Sequence, residues 1–203
     1  MREPGDGEGQ GHGKRRKPRA PRPSPSDFPP AERAERAYEA ALRLLNHRER
    51  SRAELRIRLR SKGYDGDTIE GVLDRLTDAG LQDDRRFAEL FTAEAHRSRG
   101  LSSSAVRGEL RRRGVERDLA AEAATEPPEE EAARALEQAT RRARRLGGLA
   151  PEVRHRRLVA FLGRRGYGRE VSERAAAQAL GGDVDPASPG ETDDDGPPDF
   201  PLS

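Results

Sequence analysis

Apolar residues recur at helical spacing in three bursts between residues 51 and 91: Leu55 and Leu59, then Ile69, Val72, Leu73 and Leu76, then Phe87, Leu90 and Phe91. Lys62-Gly63-Tyr64 and Ala79-Gly80-Leu81 separate them, and a glycine just past a periodic run is a helix stop. The pattern predicts three short helices joined by tight turns. None can bury its stripe alone, so they are expected to pack as a small bundle. Part of the pattern then returns: Leu55, Leu59, Gly63 and Tyr64 are matched by Val106, Leu110, Gly114 and Val115, and again by Leu158, Leu162, Gly166 and Tyr167. Basic residues precede each glycine, as Arg60 and Lys62, Arg111 to Arg113, and Arg164 with Arg165. A helical period near 50 residues marks a repeat array whose units bury apolar surface against their neighbours.

The flanking sequence completes an all-α reading with three tandem three-helix repeats in an elongated, curved array. A helix over about 31–45 carries Tyr38, Leu42 and Leu45 on one face, with Ala34 and Ala41 allowing close approach. Ser51 and Glu54 form a capping box for the next helix, which puts Arg52, Arg56, Arg58 and Arg60 mostly on solvent; Asp67 is the expected cap of the third. The helix through Phe91 has no breaker before Gly100 and is expected to run to Ser98. Ser102 to Ser104 cap a helix with Val106 and Leu110 inward, and Leu119, Ala123 and Ala124 make a thin one that buries less area. Beyond Pro127-Pro128, a helix starts at Glu129 to Glu131 with Ala132, Ala135, Leu136 and Ala139 inward. Pro151 opens one with Leu158, Phe161 and Leu162 inward, and Val171 to Leu180 form the last. The divisions are 31–82, 83–126 and 129–180 for the units, with 1–30 and 181–203 as disordered tails rich in Pro, Gly and charge.

Composition narrows the function. At 32% hydrophobic and 37% charged residues the chain is too polar for one large core, which favours slender units. It has no cysteine, hence no disulfide, thiol catalysis or thiolate metal site. Neither a membrane span nor a signal peptide is evident, so a cytoplasmic protein is the default. The net charge of +2 is unevenly spread: residues 1–30 carry +3 and residues 181–203 carry −7, leaving +6 on the residues between. A partner with an acidic surface, nucleic acid or protein, follows from that excess.

Catalytic motifs are missing. There is no Gly-rich phosphate loop, HExxH, GxSxG or dinucleotide fingerprint, and His12, His47, His96 and His155 lie too far apart in sequence to suggest a metal site. No enzyme activity, cofactor or metal is therefore expected. Asp83 and Asp84 read as helix caps rather than a carboxylate pair, because sequence neighbours diverge on a helix. Phe87 and Phe91 read as core. A helix-turn-helix reading of residues 53–76 is weaker, since Asp67 and Glu70 would face phosphate badly. Four arginines in the five positions 141–145 exceed what a helix end needs, and contact with phosphate or acidic side chains is the alternative.

Four stretches carry a family resemblance: SRAELRIRLRSKGY at 51–64, IEGVLDRLTDAGLQDDRRFAELF at 69–91, RGLSSSAVRGELRRRGV at 99–115 and RLVAFLGRRGYG at 157–168. Together they resemble the RecX family of recombination regulators over about residues 34–180. The matching positions are Leu55, Leu59, Gly63, Tyr64, Gly80, Leu81, Asp84, Phe87, Ala88 and Phe91, then Leu110, Gly114, Leu162 and Gly166. The resemblance implies three tandem three-helix repeats, no catalytic residue and no cofactor. It implies binding to the RecA recombinase in the groove of its filament on single-stranded DNA, with inhibition of filament extension, ATP hydrolysis, strand exchange and coprotease activity. The family pattern supplies no contact motif. Charge alone selects Arg111, Arg112, Arg113, Arg142, Arg145, Arg157, Arg164 and Arg165 as candidate partner contacts, and direct, sequence-nonspecific DNA binding is the second reading.

Overall fold

The computed structural model describes residues 24–181. Most of the two expected tails, including the basic run Lys14 to Lys17, therefore lies outside the described residues. Those residues contain helices α1 (Pro30–Leu45), α2 (Arg52–Arg60), α3 (Gly66–Asp78), α4 (Asp84–Glu94), α5 (Ser103–Arg112), α6 (Arg117–Ala123), α7 (Pro128–Ala143), α8 (Pro151–Arg164) and α9 (Arg169–Ala179), and no strand. Packing is triplet-wise: α1 to α3, α4 to α6 and α7 to α9 each make a bundle.

The first bundle buries Leu55, Leu59, Ile69, Leu73 and Leu76 completely. Its first helix is held by Ala37, Ala40 and Ala41, with Tyr38, Leu42 and Leu45 only partly covered at the rim. Small residues thus form the centre of that face, because α1 lies close to α3. Asp65, rather than Asp67, caps α3: its carboxylate accepts from the Thr68 N–H at 2.9 Å, and Gly66 is the first helical residue. That bond and the Arg33 guanidinium at 2.8 Å hold the Asp65 carboxyl well below the usual carboxylate range.

Two of the α2 arginines face across the bundle. Arg56 and Arg52 both reach Glu70 on α3, at 2.6 and 3.0 Å, and Arg52 also meets Asp74 at 2.7 Å. Arg56 first, and then Arg52, pull the Glu70 pKa down to about 2. The folded chain therefore holds Glu70 ionised where the unfolded chain is taking up its proton. This stabilisation is complete above the ordinary value of 4.5 and is lost as pH falls towards 2. Glu70→Gln is expected to flatten the acid limb of urea stability between those pH values; an unaltered limb would show that solvent screening has cancelled the pairs.

In the second bundle Asp83 caps α4, accepting from the Arg85 and Arg86 N–H groups. Phe87 and Ala88 are buried, Phe91 is partly covered, and Leu90, expected inward, is 52% exposed. The opposing helix α6 is only 7 residues long and presents Ala120 and Ala124, so it covers a narrower stripe than the sequence pattern suggests. The helix expected to run to Ser98 changes pitch instead: α4 ends at Glu94, and Ala95–Arg99 is a wider π turn closed by Gly100 at φ +59°. In the third bundle Leu158 and Leu162 are fully buried, while Ala135, Ala139 and Ala143 line the face of α7 packed on α8 and α9, joined by Leu146 from the turn that follows.

Neighbouring bundles meet through one recurring device. Ser51 caps α2 by accepting from the Glu54 N–H at 3.0 Å, and its hydroxyl donates to the Arg113 carbonyl at 2.6 Å. The adjoining Gly114 has φ +78°, and a Cβ there would lie 2.2 Å from that of Ala53. Asp84 on the second bundle accepts from the Arg52 N–H at 2.7 Å. The next joint repeats the theme: Ser102 caps α5, its N–H donates to the Arg165 carbonyl at 3.0 Å, and Gly166 faces Ser102 and Ala105. At the corresponding turn of the first bundle, Gly63, no preceding bundle occurs among the described residues. The short 3-10 turn Pro25–Asp27 sits there instead, with the Pro25 ring 3.3 Å from where a Gly63 Cβ would be. Phe28 lies under the Arg36 guanidinium at 3.8 Å and its carbonyl accepts from Arg33. These contacts order part of a stretch expected to be tail. At the other end, the position matching Ser51 and Ser102 is Arg154, inside α8, which starts about a turn early at Pro151.

Candidate functional site

The 3.6-residue period puts Gln138 and Arg142 on one stripe of α7 at i and i+4, with Arg141 beside them, and Arg145 follows in the turn just past the helix. This stripe borders the alanine face of Ala135, Ala139 and Ala143 that packs on α8 and α9, and Gln138 is itself buried. Acids fill the first turn of α7 and arginines its last, which suits the helix dipole. On α8, Phe161 and Arg165 are also i and i+4, and the guanidinium lies 3.9 Å over the ring. Arg142 approaches the same ring at 5.5 Å. With Ser98 and Arg99 from the π turn of the second bundle, these side chains line a cleft between the second and third bundles.

Pairing within the cleft is incomplete. Arg99 is held by Glu109 at 2.9 Å and Arg141 by Glu137 at 3.1 Å. Arg142, Arg145 and Arg165 have no carboxylate within 4.0 Å among the described residues. The Arg142 Nε is buried without a hydrogen-bond partner. Arg165 Nε donates to the Arg99 carbonyl at 3.2 Å, which fixes the plane of its guanidinium and leaves the terminal nitrogens for the cleft. Burial lowers the Arg165 pKa, and Arg142, Arg164 and Arg141 lower it further against an opposing contribution from Tyr167. Arginine stays charged under such shifts, so the cleft concentrates positive potential around one aromatic face. Chemically, it can take a phosphate or a carboxylate through forked N–H donation, with an apolar surface beneath.

A buried polar cluster lies at the same joint between the second and third bundles. Glu126, in the connection between α6 and α7, is held by Arg134 and by the Ser103 hydroxyl, with His96 Nδ1 at 3.8 Å. Arg134 also donates to the Leu101 carbonyl at 3.2 Å. Tyr167 donates to the Gly100 carbonyl at 3.0 Å, and burial pushes its phenol up to about 12. Burial first, and then Arg134, lower the His96 pKa against the opposing Glu126 charge. His96 belongs to this packed network; no group of three His, Cys, Asp or Glu able to hold a metal occurs among the described residues.

Of the eight arginines selected by charge, the fold brings Arg142, Arg145 and Arg165 into the cleft, with Arg164 next to it and exposed. Arg111 and Arg112 lie apart, lining a shallow surface with Gly108 on α5. Arg113 is engaged at the first joint by Glu54 at 2.6 Å and by the Phe91 ring at 4.7 Å. Arg157 is exposed on α8. Arg141 belongs to the run 141–145 singled out by its excess charge, while sequence reasoning missed Arg99, Gln138 and Phe161 as site residues. Arg99 arrives through a π turn that leaves no mark on the hydrophobic pattern.

No helix among the described residues is long and apolar enough to cross a membrane. Models of the first, second and third three-helix domains of RecX match residues 37–76, 83–123 and 129–175. A regulatory protein RecX of Amycolatopsis mediterranei is 43% identical over 143 residues, which cover 70% of this chain and 82% of the relative. One from Thermobifida fusca is 40% identical over 167 residues, covering 80% and 90%. The crystal structure of RecX from Lactobacillus salivarius superposes with a TM-score of 0.65 at 19% identity, covering 73% of this chain and 97% of that one, a likeness of fold. Three consecutive domain matches, in the order of the three bundles, place this chain in the RecX family of regulatory proteins.

Proposed function

We propose that this chain binds the RecA recombinase on single-stranded DNA and restrains filament extension, ATP hydrolysis and strand exchange by stoichiometric binding, in the cytoplasm and without catalysis of its own. The observation that supports the reading is the cleft: Arg142, Arg145 and Arg165 stand around Phe161 without carboxylate partners among the described residues, at a joint between two rigid bundles. Such a site engages acidic side chains of a protein filament or the phosphates it encloses. Several modest contacts on a fixed array add up to useful affinity.

The test is ATP hydrolysis by the cognate RecA on single-stranded DNA, titrated with this protein at fixed moderate salt alongside its binding to bare DNA. The expected result is inhibition well below one molecule per RecA, at concentrations that scarcely coat bare DNA. Arg142→Gln/Arg145→Gln is expected to weaken inhibition about tenfold or more, since charged contacts contribute roughly 1.5–3 kcal/mol. Inhibition that only tracks coating of free DNA would favour the second reading, a basic DNA binder using surfaces such as Arg111 and Arg112, whose affinity falls steeply with salt.

A further inference from the structure

The last described residues leave the fold beside the arginine-rich end of α7. Leu180 packs against the cluster of Ala143, Leu146, Leu158 and Ala176, and Ala143 and Leu146 are the sequence neighbours of Arg142 and Arg145 at the C-terminal end of α7 and the turn that follows. The chain that follows, residues 182–203, carries seven acids and no base: Asp183, Asp185, Glu191, Asp193, Asp194, Asp195 and Asp199. Asp193 lies twelve residues beyond Gly181, and a linker of that length spans about 20 Å, from roughly 5–6 Å times the square root of its number of residues. The obstacle is one helix, about 10–12 Å across. Reach is therefore not limiting, and a tether this short gives an effective concentration on the order of millimolar.

Charge complementarity identifies the occupant. The cleft has three guanidinium groups without carboxylates among the described residues, one with a buried, unpartnered Nε. The segment supplies carboxylates in a run, Asp193-Asp194-Asp195, with Pro189-Gly190 before it and Gly196-Pro197-Pro198 after it. Arg111 and Arg112 lie on another bundle, farther along the array from where α9 ends.

We propose that the cleft lined by Arg142, Arg145, Phe161 and Arg165 is an intramolecular docking site for the acidic segment 183–199, which any anionic partner must displace. The segment thus sets a threshold: weak or isolated anions fail to open the cleft, and extended ones succeed. This occupancy is a property of the chain alone and does not depend on RecA being the partner.

The experiment uses the full chain and a full-length variant in which Asp193, Asp194 and Asp195 are replaced by Asn, compared by NMR at about 50 mM salt. The expected result is reciprocal: the Arg142 and Arg165 Nε–H and Phe161 ring resonances move when the segment is neutralised. The amide resonances of residues 190–196 move in Arg142→Gln/Arg145→Gln, and both sets of shifts shrink towards zero as salt approaches 1 M. Cleft resonances that stay in place on neutralising the segment, or shifts confined to Arg111 and Arg112, overturn the proposal. The ATP hydrolysis assay is separate. Reciprocal shifts without RecA inhibition would retain the docking and reject the reading of the preceding subsection; inhibition without shifts would do the reverse.

Discussion

Gly114→Ala is expected to lower the unfolding free energy by about 2–5 kcal/mol, while the equivalent change at Gly63 costs about 1–2 kcal/mol. Both glycines sit at positive φ, +78° and +91°, so both substitutions carry the left-handed penalty of a side chain. Only at Gly114 does the new Cβ land 2.2 Å from the Ala53 Cβ, on the first turn of α2, where the Ser51 hydroxyl is bonded to the Arg113 carbonyl. Relief requires the two bundles to separate, breaking the Arg113 pair with Glu54. At Gly63 the neighbour is the edge of the Pro25 ring at 3.3 Å, in a short turn that can shift by a few tenths of an ångström. Urea unfolding followed by circular dichroism compares the two variants, and Gly114→Ala paired with Ala53→Gly serves as a check. Recovery of much of the loss in the double variant is expected; equal losses at Gly63 and Gly114 would show that the joint is not the rigid contact described.

Glu126→Gln is expected to cost about 3–5 kcal/mol, the loss typical of leaving one member of a buried ion pair uncompensated. Glu126 and Arg134 have side chains 9% and 12% exposed, and the carboxylate also accepts from Ser103. Glu126→Gln/Arg134→Met is expected to be more stable than Glu126→Gln alone, because the stranded charge is gone. The same cluster gives a pH dependence through His96, whose pKa lies below the ordinary 6.5 because of burial and then Arg134. The folded chain binds fewer protons there than the unfolded one, so stability is lost as pH falls from about 6.5 towards the depressed value. In Glu126→Gln the opposing carboxylate is absent, and the fall is expected to be steeper. A flat stability profile from pH 7 to 5 in both proteins would remove His96 from the network's energetics.

The leucines and glycines of the repeat were legible because each answers to a local rule. Leu55, Leu59, Leu110, Leu158 and Leu162 follow the helical period, and Gly63, Gly114 and Gly166 follow the turn that ends each run. Features that depend on what lies opposite were not legible in the same way. Ala37 and Ala40 are core because α3 comes close, and no property of alanine announces that. Leu90 follows the helical period as well as Phe87 does, yet the short α6 leaves it uncovered. In the cleft, Arg142, Arg145 and Arg165 were visible as excess charge. Their convergence on Phe161 depends on the angle between α7 and α8, and the contribution of Arg99 depends on the π turn.

The contact that joins the bundles has a direction. A serine-capped helix start on one side receives a glycine turn from the other, so the two surfaces differ, and nothing in such a contact closes on itself. Contacts of this heterologous kind generate open filaments unless their ends are stopped. Here the free glycine turn is covered by Pro25, and the free helix start is overrun by the early first turn of α8. An array built on a recurring joint thereby stops at three bundles among the described residues, with the stops supplied by a proline at one end and a lengthened helix at the other.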